Sequence, residues 1–229
     1  MLRLPKPTTY LITNGETTPA TTSSSNDFQK LLELIQFAIA AKVDLIQLRE
    51  KALTTRVLQQ LVTRAAELTR GSATKLFVND RADVAVAGGA DGVHLTSQSL
   101  SASVVRHSFG RELLIGVSTH SIGEARAAQP DADFAVFGPV FSTSSKKKFG
   151  LPVGVDHLEE VCEALDPFPI IAIGGIDEGN AGACFLAGAR GVAGISMFSD
   201  PNRIADVVST IRCLTTEFEQ KGPSVGNSD

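Results

Sequence analysis

Short apolar runs recur along the chain, and each is followed by a more polar stretch in which apolar residues return every third or fourth position. The runs are TYLIT (9–13), DLIQLRE (44–50), KLFVND (75–80), GVHLT (92–96), LLIGVS (113–118), FAVFGPV (134–140), PIIAIGG (169–175) and GVAGIS (191–196). Most lack strict alternation, the mark of strands covered on both faces. The helical period is clearest over Phe28 to Ala40, Thr55 to Leu68, His157 to Leu165 and Ile204 to Phe218. Strand and helix in turn imply a parallel sheet sheathed by helices, and eight such pairs imply closure into a single (β/α)8 TIM barrel. An open doubly wound sheet is the competing architecture, but no GxGxxG turn follows the first run.

Two stretches fall outside the pattern. Asn14 to Asp27, NGETTPATTSSSND, reads as a variable, mobile surface loop with a helix cap at Ser25 to Asp27. Residues 221–229, KGPSVGNSD, read as a disordered tail. One barrel domain over residues 1–220 is the resulting expectation.

Composition narrows the classes. With 229 residues and 43% hydrophobic content the chain can bury a full core. A formal net charge of -4 gives no general pull toward nucleic acid or an anionic membrane, and the apolar runs fall far short of a membrane span. The opening MLRLPKPTTY lacks the long apolar core and small-residue cleavage site of a secretory leader, so a cytoplasmic protein is expected. Cys162, Cys184 and Cys213 lie far apart and outside any CxxC pattern, which favours three reduced, packed thiols over a metal site.

In a closed barrel the reactive groups belong at the carboxyl ends of the strands, and unusual polar residues gather there. The stretch DLIQLREK, Asp44 to Lys51, places Gln47, Arg49 and Lys51 on one face of a strand that ought to be apolar. Later strand ends carry Asn79 and Asp80, then His94, Thr96 and Ser97, then Ser118, Thr119 and His120. The sixth runs into GPVFSTSSKKKFG, the seventh ends in Gly174 and Gly175, and the eighth in Ile195 and Ser196. Arg49 and Lys51 supply a fork and a point charge suited to phosphate oxygens. Glycine-rich turns after the last two strands suit backbone binding of a second phosphate. Two anion sites on one mouth suggest two phosphorylated groups.

The motifs QLREK, VND, DGVHL, GVSTH, GPVF.T..K and AIGGI...GIS together resemble thiamine-phosphate synthase and its sister, the thiazole tautomerase, in order and spacing over almost the whole chain. The resemblance implies a transferase that joins hydroxymethylpyrimidine diphosphate to thiazole phosphate and releases pyrophosphate with help from magnesium. It implies that Gln47, Arg49, Lys51, Asn79, Ser118 and Lys146 hold the pyrimidine diphosphate, and that Thr143, Ser144, Ser145, Gly175, Ile195 and Ser196 hold the thiazole phosphate. Arg49, Lys51 and Lys146 would act as electrostatic catalysts, a homodimer is implied, and Asp80 would hold Mg²⁺ with a second carboxylate five residues after His94. This chain has Ser99 there, and a neutral hydroxyl is a poor substitute for an anionic ligand to Mg²⁺. The departure leaves open a metal-free tautomerase, with His120 as the general acid and base, and a phosphate-binding barrel without chemistry.

Plainer roles compete at each position. Arg49 and Lys51 could pair with Glu50 or Asp80 at an exposed strand end. Asp80 could cap the next helix, and His120 could do the same in its own turn. His94 reads more as a packed residue behind the site than as a catalyst. Within KKK, Lys146 to Lys148, only Lys146 matches the family position, and Gly88, Gly89 and Gly188 read as turns after helices. The loop around Lys146 to Gly150 is a candidate lid.

Overall fold

The structure, a computed structural model, describes residues 3–142 and 152–220. Eight strands and eight helices alternate: β1 (Thr8–Ile12), α1 (Asn26–Ala40), β2 (Leu45–Leu48), α2 (Thr55–Thr69), β3 (Lys75–Asn79), α3 (Ala82–Gly88), β4 (Gly92–Leu95), α4 (Ala102–Phe109), β5 (Leu114–Thr119), α5 (Ile122–Ala128), β6 (Phe134–Phe137), α6 (Gly154–Leu165), β7 (Ile170–Ile173), α7 (Ala181–Leu186), β8 (Gly191–Gly194) and α8 (Ile204–Gln220). Each strand pairs in parallel with the next, and β8 returns to β1 through Thr8↔Gly191 to Leu11↔Gly194, so the sheet closes. The expected (β/α)8 barrel is the observed fold.

Period-two alternation along each strand divides the core into two shells. The outer shell fills the space between strands and helices. Here α1 contributes Phe28, Leu31, Ile35 and Ala38, spaced by three and four residues on one buried face. Burying each of its larger apolar side chains contributes roughly 1.5–3 kcal/mol. The inner shell fills the lumen with Leu4, Tyr10, Ile12, Leu45, Phe77, Phe134, Val136, Ile171 and Ala193. Its three large rings meet edge to face, with centroids 5.4 Å apart for Phe77 and Phe134 and 6.0 Å for Tyr10 and Phe77. Gly92 and Gly116 make room for them: an added Cβ would come within 2.5 Å of Phe77 at the first and 2.4 Å of Phe134 at the second.

Three local expectations change, and one segment gains an anchor. The start of the connection Asn14 to Asp27 is tied to the barrel, because the buried carboxylate of Glu50 accepts hydrogen bonds from the Thr13 hydroxyl (2.5 Å), the Gly15 N–H (3.3 Å), the Thr17 N–H (3.4 Å) and the Thr17 hydroxyl (2.7 Å). Ser25 occupies the position before α1, yet its hydroxyl accepts from the Thr22 N–H instead of capping the helix. Gly88 is no turn: it is the last residue of α3, where an added Cβ would lie 2.4 Å from Val62 on α2. Cys162 and Cys184 are buried, and burial pushes both thiols up to about 12, whereas Cys213 is exposed. Residues 221–229 lie outside the described residues. Among the described residues no helix is long and apolar enough to cross a membrane.

Candidate active site

The carboxyl ends of β2 to β5 bring the first group of polar side chains together. Gln47 pairs with Phe77 in register, and its side chain is only 1% exposed, with Nε2 lacking any hydrogen-bond partner. β2 stops at Leu48, so Arg49 and Lys51 stand just past the strand on its connection to α2. The Arg49 guanidinium has no hydrogen-bond or ion-pair partner among the described residues, while Lys51 Nζ stands 3.9 Å from Asp80 Oδ2. Glu50 is not the partner of either cation, since all its bonds go to the β1 connection.

Asn79 ends β3 in register with His94. Its Nδ2 donates to Asp80 Oδ2 at 2.6 Å, which leaves its buried Oδ1 without a donor. Asp80 takes a left-handed backbone (φ 61°), a conformation that aspartate tolerates better than most residues. That twist turns the carboxylate toward the mouth, where Oδ1 accepts from the hydroxyls of Thr96 (3.1 Å) and Ser99. Asp80 is therefore not the cap of α3; Arg81 holds that position, without a side-chain cap bond. Ser99, at the position where the family resemblance puts a second carboxylate, is a hydrogen-bond donor to Asp80. Among the described residues no three His, Cys, Asp or Glu side chains converge as a metal cage.

His94 is 2% exposed on β4 and links two elements: its Nε2 lies 2.8 Å from Ser118 Oγ on β5, and its Nδ1 lies 3.3 Å from the Tyr10 hydroxyl on β1. Burial pulls its pKa down to about 4, against a smaller upward pull from the Asp80 charge. Burial likewise raises the Tyr10 phenol well above its ordinary value, so both groups are neutral at pH 7. Thr119, next along β5, is buried with its hydroxyl unpartnered. His120 follows, with Nδ1 2.5 Å from the Gly138 carbonyl and its backbone N–H donating to Glu124 Oε2. A carbonyl only accepts, so Nδ1 carries a proton, and in neutral His120 the Nε2 is left as a base. This positions His120 by its own side chain across to the end of β6, rather than as a helix cap.

The other side of the mouth is built from backbone. Gly174 and Gly175 have φ of 102° and 64°, and a Cβ on Gly175 would sit 2.4 Å from the Ser142 carbonyl. Asn180 Nδ2 holds the Gly175 carbonyl at 2.8 Å, and the N–H groups of Gly175 and Ile176 have no acceptor among the described residues. Ile195 is half-buried, and Ser196 opens a short 3-10 turn, Ser196–Phe198, with its residue exposed. Thr143, Ser144, Ser145 and Lys146, with the candidate lid, lie outside the described residues.

A cavity of about 680 Å³ lies beside this mouth, but its lining includes Glu16, Asp27, Glu33 and Glu50 against Lys30 alone. That balance of charge repels a polyanion, and none of the strand-end cations lines it. The convergent side chains, not that cavity, are the candidate anion site. Three contributors lacked a clear sequence signal. Tyr10, the chain's single tyrosine, was visible only as one member of an apolar run. Thr96 stood out only as one polar residue at a strand end, with nothing to show what it bonds, and Glu50 looked like a surface counter-ion.

Comparison with known proteins agrees with this geometry. The family model described as thiamine monophosphate synthase matches residues 17–198. A putative thiamine-phosphate synthase of Geobacter sulfurreducens is 44% identical over 174 residues, covering 75% of this chain and 81% of that protein. The thiamine-phosphate synthase of Moorella thermoacetica is 39% identical over 191 residues, covering 83% and 90%. Among solved structures, thiamine phosphate pyrophosphorylase from Pyrococcus furiosus superposes with a TM-score of 0.75 at 29% identity, covering 92% of this chain and 96% of that one. With its motifs in order around one barrel mouth and relatives of this identity over most of its length, the chain belongs to the thiamine monophosphate synthase family.

Proposed function

We propose that this protein is a thiamine-phosphate synthase that couples hydroxymethylpyrimidine diphosphate to thiazole phosphate and releases pyrophosphate. The observation that carries the reading is the convergence of Arg49, Lys51 and Asp80 with two unfulfilled buried groups, Gln47 Nε2 and Asn79 Oδ1, and with the Ser118 hydroxyl held by His94, on one barrel mouth. A buried donor and a buried acceptor left open are costly unless a ligand completes them. An aminopyrimidine offers ring nitrogens that accept and an amino group that donates, which matches this set. Across the mouth, the N–H groups of Gly175 and Ile176 and the turn at Ile195 and Ser196 suit the smaller phosphate.

The chemistry follows from this placement. The bond between the pyrimidine methylene carbon and the diphosphate oxygen breaks, and its electron pair leaves with pyrophosphate. The thiazole nitrogen then donates its lone pair to the methylene carbon, forming the new carbon–nitrogen bond. No side-chain nucleophile is needed. Arg49 and Lys51 stabilise the departing polyanion, the family resemblance adds Lys146 to them, and the two binding regions hold the reacting atoms in line. Magnesium is commonly held by one or two carboxylates together with substrate phosphates, and Asp80, with one oxygen bonded by Thr96 and Ser99 and the other accepting from Asn79 and facing Lys51, keeps a part-exposed edge that fits that single-carboxylate role. When bound with the diphosphate, Mg²⁺ would supply further neutralisation of its charge.

The test is pyrophosphate release when both substrates and Mg²⁺ are supplied to the folded protein; no release overturns the reading. A second reading, a tautomerase acting without metal on a thiazole phosphate carboxylate, is favoured by one observation, the free Nε2 that the Gly138 contact leaves on His120. Tautomerisation in EDTA that is lost in His120→Ala would establish it, and a protein that binds thiazole phosphate with neither reaction would be a non-catalytic member of the family.

A further inference from the structure

Tyr10, His94 and Ser118 form one hydrogen-bonded line that runs from the closed lumen to the mouth. We infer that Tyr10 and His94 are positioning residues that commit the Ser118 hydroxyl to donating its proton into the mouth, where its partner is a lone-pair acceptor of the bound heterocycle. The inference deepens the synthase reading and rests on it for the identity of that acceptor.

The direction of every bond in the line is fixed from its buried end. Tyr10 is fully buried, and its ring packs against Phe77, Phe134 and His94. Its hydroxyl touches one polar partner, His94 Nδ1, at 3.3 Å. The phenolic proton has nowhere else to go, so Tyr10 donates and Nδ1 accepts. A neutral imidazole has one donor and one acceptor, so its proton sits on Nε2 and points along the 2.8 Å contact to Ser118 Oγ. Ser118 Oγ accepts there, and its own proton has no acceptor among the described residues. The opposite polarity, with Ser118 donating to Nε2 and Nδ1–H donating to the phenol, would strand the Tyr10 proton among phenyl rings. Gly116 keeps the arrangement possible, because a Cβ there would lie 3.0 Å from His94 Nδ1 and collide with Phe134. Accepting a bond from His94 also polarises the Ser118 hydroxyl, which strengthens the bond it donates.

The consequence is a preference written into the mouth. Ser118 presents a proton and Gln47 Nε2 presents another, while Asn79 Oδ1 awaits one. A ring that offers lone pairs at the first two positions is accepted. A ring whose nitrogen there carries hydrogen, as in an oxo analogue, leaves the Ser118 proton without a partner and is disfavoured.

Two measurements test the line. Nitrogen-resolved NMR of the wild-type protein at pH 7 reads the His94 tautomer directly; protonation of Nε2 is expected, and protonation of Nδ1 or of both nitrogens overturns the inference. A double-mutant cycle reads the consequence. Ser118→Ala and His94→Leu are each expected to raise KM for the pyrimidine diphosphate about tenfold, the effect of one lost hydrogen bond, with KM for thiazole phosphate unchanged. The double variant is expected to show about the same tenfold loss, because His94 acts through Ser118. His94→Gln, whose amide can accept from Tyr10 and donate to Ser118, is expected to retain most of the affinity. A multiplicative double loss, or a folded Gln variant as impaired as the Leu variant, overturns the inference. If the Nε2 tautomer is found but the wild type releases no pyrophosphate, the synthase reading falls and the named acceptor with it; release without that tautomer overturns the line alone.

Discussion

Glu50 and Asp80 both stand just past the carboxyl end of a strand, and they have opposite fates. The Glu50 side chain is 3% exposed, and four donors from the β1 connection consume its lone pairs. Asp80 keeps 31% of its side chain exposed, takes two hydroxyls on one oxygen and an amide on the other, and has only Lys51 opposite its open side. A carboxylate with every lone pair filled by its own chain holds the fold together. One with valence left over, facing cations and the mouth, is available to a ligand. Charge alone does not separate the two; the count of internal donors does.

The sharpest way to break the comparison is to remove each carboxylate in turn. Asp80→Asn, which removes the charge but keeps an oxygen for Thr96 and Ser99 and a residue type suited to φ 61°, is expected to lower kcat/KM by about 10²–10³-fold, the scale of one lost electrostatic contact to the developing charge. Its urea unfolding free energy should change by no more than about 1 kcal/mol, since its ion pair with Lys51 is exposed. Glu50→Ala should show the reverse profile. It strands the hydroxyls of Thr13 and Thr17 and the Gly15 N–H, so a stability loss of about 3 kcal/mol is expected in the same urea titration. Equal stability losses in the two variants would erase the distinction.

A buried base sharpens the contrast between buried and open ionisable groups. The folded pKa of His94, about 4, lies below its ordinary 6.5. As pH falls the unfolded chain takes the proton first, so stability present above about pH 6.5 is lost between there and pH 4. The shift corresponds to about 3 kcal/mol in full, of which about 2 kcal/mol is gone by pH 5. Urea midpoints at pH 7 and pH 5 check it, and the difference should shrink in His94→Gln. The smallest effect is expected from Ser99→Asp. It replaces a hydroxyl donor to Asp80 by a second carboxylate, so Mg²⁺ affinity measured by calorimetry without substrate should rise about tenfold. Unchanged affinity would mean that the two carboxylates do not share an ion.

The sequence made the barrel legible because each strand is a compact apolar run; six of the eight runs contain the strand observed, and β1 and β5 each reach one residue beyond theirs. It also placed Gln47, Asn79, Asp80, Ser118 and His120 at strand ends, since position along a strand is a local property. What it hid were pairings between residues far apart in the chain. Glu50 meets Thr13 and Thr17 across 37 and 33 positions, and Tyr10 meets His94 across 84. The left-handed backbone of Asp80 was equally invisible, because an Asp at that place reads first as a helix cap. Loop residues such as Thr96 and Ser99 gained meaning only when the carboxylate they bind turned toward them.

The phenyl and phenol rings packed edge to face inside the lumen bear on how a guest would come and go. With Tyr10, Phe77 and Phe134 filling the lumen and Gly92 and Gly116 letting them sit there, the interior is a packed core and not a pore among the described residues. If the proposed function holds, a guest lodged against Gln47 and Asn79 would return by the way it came, after whatever lies above it has departed.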